Sequence, residues 1–223
     1  MTRVYGQYCP IATALDVLGE RWTLLILREL LGGPRRYADL RAQLPGIATN
    51  LLSERLRHLV TEGLVERHDV PPPISRTLYR LSDAGWRHVP PVIGALAAYG
   101  AERMPYEPDQ TSPLTGFLIG VLAGFDAHRA RHVDEDYRVI VDDRPFDIGV
   151  RHGELCGGGR DPAVQVRGRA GDLLERRLRP SAARAVGAVG AASAARLEFT
   201  GRPAATARFQ SVFGLTPPDE AAG

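Results

Sequence analysis

The sequence predicts an α+β protein in two parts: a helical first half that closes on a β-hairpin, and a second half of strands with helices around them. Three observations carry this prediction. Apolar residues recur at helical spacing through most of residues 11–62. Two strand-like segments, Leu64–Val70 and Arg76–Leu81, then flank Pro71-Pro72-Pro73. Finally, the proline-rich stretch Met104-Pro-Tyr-Glu-Pro-Asp-Gln-Thr-Ser-Pro113 reads as a linker, and alternating strands follow it. These divide the chain into a domain at 1–104, a linker at 105–113, a second domain at 114–216 and a frayed tail at 217–223.

In order along the first half, Ile11–Leu18 is a short helix. Trp22–Leu31 is a second, stopped by Gly32-Gly33-Pro34. Tyr37–Leu44 is a third, closed by Pro45-Gly46, and Thr49–Glu62 a fourth, closed by Gly63. Ser82 is placed to cap a further helix, broken or kinked near Pro90-Pro91 and running to about Arg103. Helices followed by a hairpin in this order make a winged helix-turn-helix, with the first helix an added dimerisation element and the fourth the recognition helix.

Spacing on the fourth helix separates its faces. Leu52, Leu56, Leu59, Val60 and Gly63 share the side expected to meet the core. Asn50, Glu54, Arg57, His58 and Thr61 point the other way, with Ser53 at the margin. The N-terminal part of such a helix enters the major groove. There Asn and Arg side chains can bond adenine and guanine edges in bidentate fashion. Thr49, Ser53 and Arg55 are better placed for phosphates, which fix register. Arg76, beside the proline-stiffened tip of the hairpin, fits a wing that touches backbone or minor groove. A solvated amphipathic helix and a structural hairpin are the bland alternatives.

The run Cys9-Pro-Ile-Ala-Thr-Ala-Leu-Asp-Val-Leu-Gly-Glu-Arg-Trp-Thr-Leu-Leu-Ile-Leu-Arg-Glu-Leu30 resembles the opening of HxlR-type regulators. So do Arg36-Tyr-Ala-Asp-Leu40, Leu51-Leu-Ser-Glu-Arg-Leu-Arg-His-Leu59, Glu62-Gly-Leu-Val65 and Leu78-Tyr-Arg-Leu-Ser-Asp-Ala-Gly85, in the family's order across about residues 6–103. The resemblance implies a homodimer on a palindromic operator, joined mainly through the first and last helices of the domain. It places Ser53, Arg55 and Arg57 on the recognition helix. Arg21 and Tyr99 depart from the family's usual Lys and Trp. Cys9 aligns with a cysteine that some members use as a redox sensor, although a partly buried, inert thiol is the simpler reading.

In the second half, Ser112-Pro113 is a good helix start. Leu114, Phe117, Leu118, Val121, Leu122 and Phe125 continue at helical spacing, and Gly116, Gly120 and Gly124 line another stripe. Tyr137–Val141 and Phe146–Val150 are alternating strands linked by Asp142-Asp-Arg-Pro145, and Val164, Val166 and Gly168 extend the sheet. Asp172–Leu178 and Pro180–Val189 read as helices, Ala195–Phe199 as a last strand and Ala205–Phe213 as a last helix.

This arrangement resembles the sterol-carrier-protein-like fold, a twisted sheet covered by helices that shelters an apolar tunnel. Its most similar pieces are Asp161-Pro-Ala-Val-Gln-Val-Arg-Gly168, Gly171-Asp-Leu-Leu174, Leu197-Glu-Phe-Thr-Gly201 and Arg208-Phe-Gln-Ser-Val-Phe213, within roughly 114–214. The resemblance implies an apolar ligand site, with Phe117, Val121, Phe125, Tyr137, Val139, Ile148, Val150, Phe199, Phe209 and Phe213 as candidate lining. Ordinary core is the alternative for each.

Other function classes find little support. Net charge is +2, with 13 Arg against 10 acids in residues 1–105 and 15 Arg against 16 acids beyond, and the chain contains no Lys. That asymmetry does not by itself point to DNA. Two cysteines, Cys9 and Cys156, make no disulfide framework. No apolar run reaches the ~18 residues of a membrane span, and the N-terminus lacks a signal-peptide core, so a cytoplasmic location is expected. His128 and His132 lie at i,i+4 near Asp126 and Asp136, but exposed histidines late in a helix are commoner than a metal site. No nucleophile elbow, phosphate loop or paired-carboxylate arrangement is present, so neither enzyme activity nor a cofactor is expected. The resulting expectation is a DNA-binding regulator, with repression its expected output and an apolar metabolite in the second domain as candidate effector. The alternatives are a second domain that is only a dimerisation scaffold, and a lipid carrier whose N-terminal helices serve protein contacts.

Overall fold

The structure, a computed structural model, describes residues 4–71, 73, 76–101, 103, 118, 121–159, 161–168 and 197–215. The chain divides into two compact units, Met1–Trp86 and Arg87–Gly223. Phe117, the proposed linker, the helix start at Ser112-Pro113, the helices expected at 172–178 and 180–189, and the tail lie outside the described residues.

The first unit follows the expected order: α1 Pro10–Leu18, α2 Thr23–Leu31, β1 Arg35–Arg36, α3 Tyr37–Gln43, α4 Thr49–Thr61, β2 Val65–Val70 and β3 Arg76–Leu81, with α5 (Asp83–Ala101) beginning at its end. The core is built from the apolar sides of these helices. Ile26, Leu27, Leu30 and Leu31 of α2, Leu40 of α3 and Leu52, Leu56 and Leu59 of α4 are all buried, joined by Val65, Leu81 and Trp86. Apolar burial is the main term holding such a unit together, at about 25 cal/mol per Å² removed from water.

The ends of the helices are set by local chemistry. Trp22 has φ 77° and stands outside α2, which therefore starts one residue later than its periodicity suggests. Gly63, at φ 71°, closes α4 with the Gly63 N–H on the Val60 carbonyl (3.1 Å) and the Leu64 N–H on the Leu59 carbonyl (3.1 Å). A left-handed residue is needed there, and glycine takes that conformation without a Cβ penalty. Ser82 caps α5 as expected: its Oγ accepts from the Gly85 N–H at 2.9 Å and donates to the Gly63 carbonyl at 2.5 Å. Gly85 lies so close to the Leu64 carbonyl oxygen that a Cβ would collide with it. The helix then continues through Pro90 and Pro91 rather than breaking there.

The two-residue strand β1, not expected from sequence, pairs antiparallel with β3 and makes a three-stranded sheet in the order β1-β3-β2. Two residues are too few to show alternation.

In the second unit, β4 (Asp134–Val141), β5 (Arg144–Arg151), β6 (Glu154–Gly157), β7 (Val164–Gly168) and β8 (Glu198–Gly201) form one sheet in the order β6-β5-β4-β7-β8. All neighbours are antiparallel except β4 and β7. Asp142 and Asp143 (φ 44° and 65°) link β4 to β5, and His152 and Gly153 (φ 50° and 86°) link β5 to β6. Positive φ at both central residues matches the strand twist that a two-residue hairpin requires. Strand β6 was not expected, because Gly157-Gly158-Gly159 reads as a turn. Gly157 nevertheless pairs with Ile148 on an edge strand, where a residue of poor β-propensity is tolerated.

Helix α6 (Pro203–Val212) lies against the sheet face that carries Tyr137, with Phe209 and Phe213 fully buried. It starts two residues earlier than expected, with Pro203 in its first turn. The helix expected to reach Phe125 ends sooner: Leu118, Val121 and Leu122 are helical and buried, while Ala123 and Gly124 form a turn. Leu56, 1 % exposed at the centre of the α4 seam, tests the first core. Leu56→Ala is expected to destabilise this unit by about 2–5 kcal/mol, read as a lowered midpoint in denaturant unfolding followed at the helical signal.

Candidate nucleic-acid interface

Helices α3 and α4 are joined by Leu44–Ala48, with Gly46 at φ 90° making the turn. Burial of Leu52, Leu56 and Leu59 fixes which side of α4 looks outward. Thr49, Asn50, Glu54, Arg57 and Thr61 are exposed, as the periodicity predicts. Three residues depart from it. Gly63, expected inside, is exposed just beyond the end of the helix. Val60, expected inside, is 38 % exposed, because Leu59 occupies the inward position and the next residue turns about 100° away. His58, expected outside, is largely buried, with Nδ1 3.8 Å from Glu62 and Nε2 enclosed without a hydrogen-bond partner.

The N-terminus of α4 has no side-chain cap, so its first-turn N–H groups are without that internal acceptor. Tyr37 at the start of α3 reaches across the turn: its hydroxyl donates to the Thr49 carbonyl at 2.7 Å. The Ser53 hydroxyl lies 3.0 Å from the same carbonyl and 3.3 Å from the Tyr37 oxygen. Ser53 is thus half-buried and engaged within the helix-turn-helix. Arg55, placed on phosphates by the sequence reading, is turned inward. Its guanidinium donates to Glu20 at 2.8 Å and to Glu54 at 3.1 Å, and its side chain is 12 % exposed.

On the hairpin, Arg76 is exposed at the start of β3, opposite Val70. Pro72, Ile74 and Ser75 of the tip lie outside the described residues. Other basic groups of the hairpin are paired: Arg67 with Asp69 (3.3 Å) and Arg80 with Glu66 (2.8 Å). The Thr77 hydroxyl, 2.6 Å from Asp69, leads in holding that carboxyl below the usual carboxylate range, with Arg67 assisting. Among the described residues, Arg57 and Arg76 have no carboxylate within ion-pair distance, and neither do Arg36 and Arg41 on the α3 side. The sequence reading did not single out Arg36 and Arg41. Arg36 stands beside Tyr37 as the residue before α3, and Arg41 lies in the last turn of the same helix.

The second group of candidate residues gathers in the other unit. Tyr137, Val139, Ile148 and Val150 are fully buried on one face of the sheet. The Tyr137 ring lies 5.0 Å from Phe209 and 5.8 Å from Phe213, and Phe209 lies 4.6 Å from Phe213. Phe125 and Phe199, both half-buried, extend the cluster at 5.6 Å from Phe213 and 6.3 Å from Phe209. Val121 is buried. The Tyr137 hydroxyl donates to Glu135 at 2.8 Å, and Arg208 of α6 pairs with the same carboxylate. Burial, then the Glu135 bond, raises the phenol's pKa above its ordinary value.

Cys9 is half-buried just before α1. His128 and His132 are exposed, with the Arg131 guanidinium 2.9 Å and 3.0 Å from their Nε2 atoms. A cation in that position opposes metal binding. No described helix is long and apolar enough to cross a membrane.

Residues 17–108 match the family model described as HxlR-like helix-turn-helix. An uncharacterized HTH-type transcriptional regulator of Synechocystis is 39% identical over 111 residues, 50% of this chain and 82% of that protein. Another uncharacterized HTH-type transcriptional regulator, YvaP of Bacillus subtilis, is 36% identical over 98 residues, 44% of this chain and 90% of that protein. Among solved structures, the reduced form of the transcriptional regulator YodB from B. subtilis aligns at 29% identity and a TM-score of 0.37, covering 44% of this chain and 100% of that one.

Proposed function

The chain belongs to the HxlR-like helix-turn-helix family, and on that premise we propose that it is a sequence-specific DNA-binding transcriptional regulator that works as a homodimer on a palindromic operator. The observation that carries the reading is the division of α4: leucines 0–1 % exposed on one side, Thr49, Asn50 and Arg57 open on the other, and a first turn without a side-chain cap. Asn50 and Arg57 read base edges in the major groove. Thr49, the first-turn amides and the Ser53 margin meet phosphate. Arg76 meets backbone or minor groove from the wing.

The dimer reading is supported by an apolar face that stands exposed among the described residues. Tyr8, Ile11 and Leu15 are exposed at helical spacing on and before α1. Val4 and Tyr5 join them, and the Tyr5 N–H is pinned to Asp16 at 2.9 Å. Solvent-exposed apolar patches of this kind mark association surfaces. A two-fold pair presents two α4 helices about 34–36 Å apart, one helical turn of DNA.

We place the DNA-binding and dimerisation domain at 1–104 and the linker at 105–113. A sterol-carrier-like domain at 114–216 is then the seat of an apolar effector, followed by the tail at 217–223. A five-stranded sheet with α6 laid over an aromatic face supports that second assignment. An effector that binds the two operator-affinity states unequally shifts binding, and a coupling of about 1–3 kcal/mol changes affinity roughly 5- to 150-fold. Repression is the expected output.

Gel shifts with the chain's own upstream DNA test the reading surface. Arg57→Ala should cost about 1–3 kcal/mol and relax base preference, whereas Arg76→Ala should weaken binding to all sequences and lower the salt slope. Unchanged affinity in both variants refutes this surface. A thermal-shift screen with apolar compounds should raise the melting temperature of the whole chain if the second unit holds an effector. If no compound raises it, the scaffold reading is favoured.

A further inference from the structure

Packing on leucines holds α4 against the core but does not fix its rotation closely, because apolar attraction is non-directional. Base readout needs side chains held within about 0.5 Å and 10–20° of the productive geometry. Directional bonds must supply that precision, and two sets reach α4 from elsewhere in the unit. Tyr37 ties the first turn to α3 through the Thr49 carbonyl at 2.7 Å. Arg55 ties the second turn to Glu20, which lies 35 residues back in the segment between α1 and α2, at 2.8 Å. Arg55 also bonds Glu54, the preceding residue on its own helix. Only 12 % of its side chain is exposed, and its Nε is enclosed without a partner.

We propose that Glu20 and Arg55 form a positioning pair for DNA readout: the ion pair sets the rotation of α4 so that Asn50 and Arg57 meet the base edges, and Arg55 does not itself contact phosphate. This rests on the regulator reading of the same helix. The charge logic separates the two roles of Arg55 by sign. Were Arg55 a phosphate ligand, Glu20 would compete with the DNA for it, and removing the carboxylate would tighten binding. As a positioning partner, Glu20 is needed, and removing it loosens the helix and weakens discrimination.

The experiment uses the full chain with two labelled duplexes, one from its own upstream region and one of the same composition in scrambled order, titrated over a range of salt. Glu20→Gln and Arg55→Gln should each lower the ratio of specific to scrambled affinity by about three- to ten-fold, and the double variant should lose no more than either alone. The salt slope should not change, since no phosphate contact is lost. The exchanged pair, Glu20→Arg with Arg55→Glu, should recover part of the ratio. Tighter binding by Glu20→Gln, or a slope reduced by about one in Arg55→Gln, overturns the proposal and makes Arg55 a phosphate ligand. A parent chain that discriminates while both single variants match it overturns the positioning role alone. A parent chain that does not discriminate defeats the regulator reading and this proposal together.

Discussion

Burial of the α4 leucine seam is the constraint from which the rest of the first unit follows. Leu52, Leu56 and Leu59 leave water by packing into the core that also buries Ile26, Leu27, Leu30, Leu40 and Val65. With 3.6 residues per turn, that choice commits the opposite side of α4 to solvent. The polar residues there are held outward by what the leucines do. The Gly63 closure and the Ser82 hydroxyl, which bonds both the Gly63 carbonyl and the Gly85 N–H, fix where the helix stops and where the hairpin returns. The end of α4 and the start of α5 thus share one small polar junction.

The helices of this unit were legible because each combines strong periodicity with a stop residue. Gly32-Gly33-Pro34, Pro45-Gly46 and Gly63 each begin within two residues of an observed end. What escaped notice was information that periodicity does not hold. The inward turn of Arg55 depends on Glu20, far away in the chain, and spacing within one helix cannot reveal a partner outside it. His58 and Val60 exchanged their expected sides because a helical wheel assigns a boundary residue by angle alone. In the folded unit, neighbouring elements decide which boundary residue is covered. Strand β6 escaped for another reason: its one glycine, Gly157, opens a run of three that carries a turn signal, and pairing with β5 makes it extended.

Directional and non-directional forces divide the labour on α4. The leucines supply stability, and their loss is felt as unfolding. The Tyr37 and Arg55 bonds add little to stability, since partly exposed ion pairs and hydrogen bonds are worth about 1 kcal/mol or less. Their value lies in orientation. The reading surface proposed for Asn50 and Arg57 depends on angle more than on overall free energy. Residues with small effects on folding can therefore have larger effects on discrimination.

The second unit shows a different division, between the two faces of one sheet. The face toward α6 is aromatic and aliphatic, with Tyr137, Ile148, Val139, Phe209 and Phe213 in contact or in register. The other face carries charges that lie opposite one another. Arg138 faces Asp147 across β4 and β5 and holds both of its oxygens, at 2.6 and 3.1 Å, while Arg151 bonds Asp134 and Asp136 at 2.9 and 2.8 Å. Opposite charges paired across strands support the sheet and compensate one another. These arginines and carboxylates are thereby engaged, so a charged ligand finds no ready counter-charge among them. A ligand entering the aromatic face would have to compete with rings already packed at 4.6–6.3 Å. Binding would then require α6 to shift, and the Arg208–Glu135–Tyr137 contacts that hold α6 to the sheet are the ones such a shift must stretch.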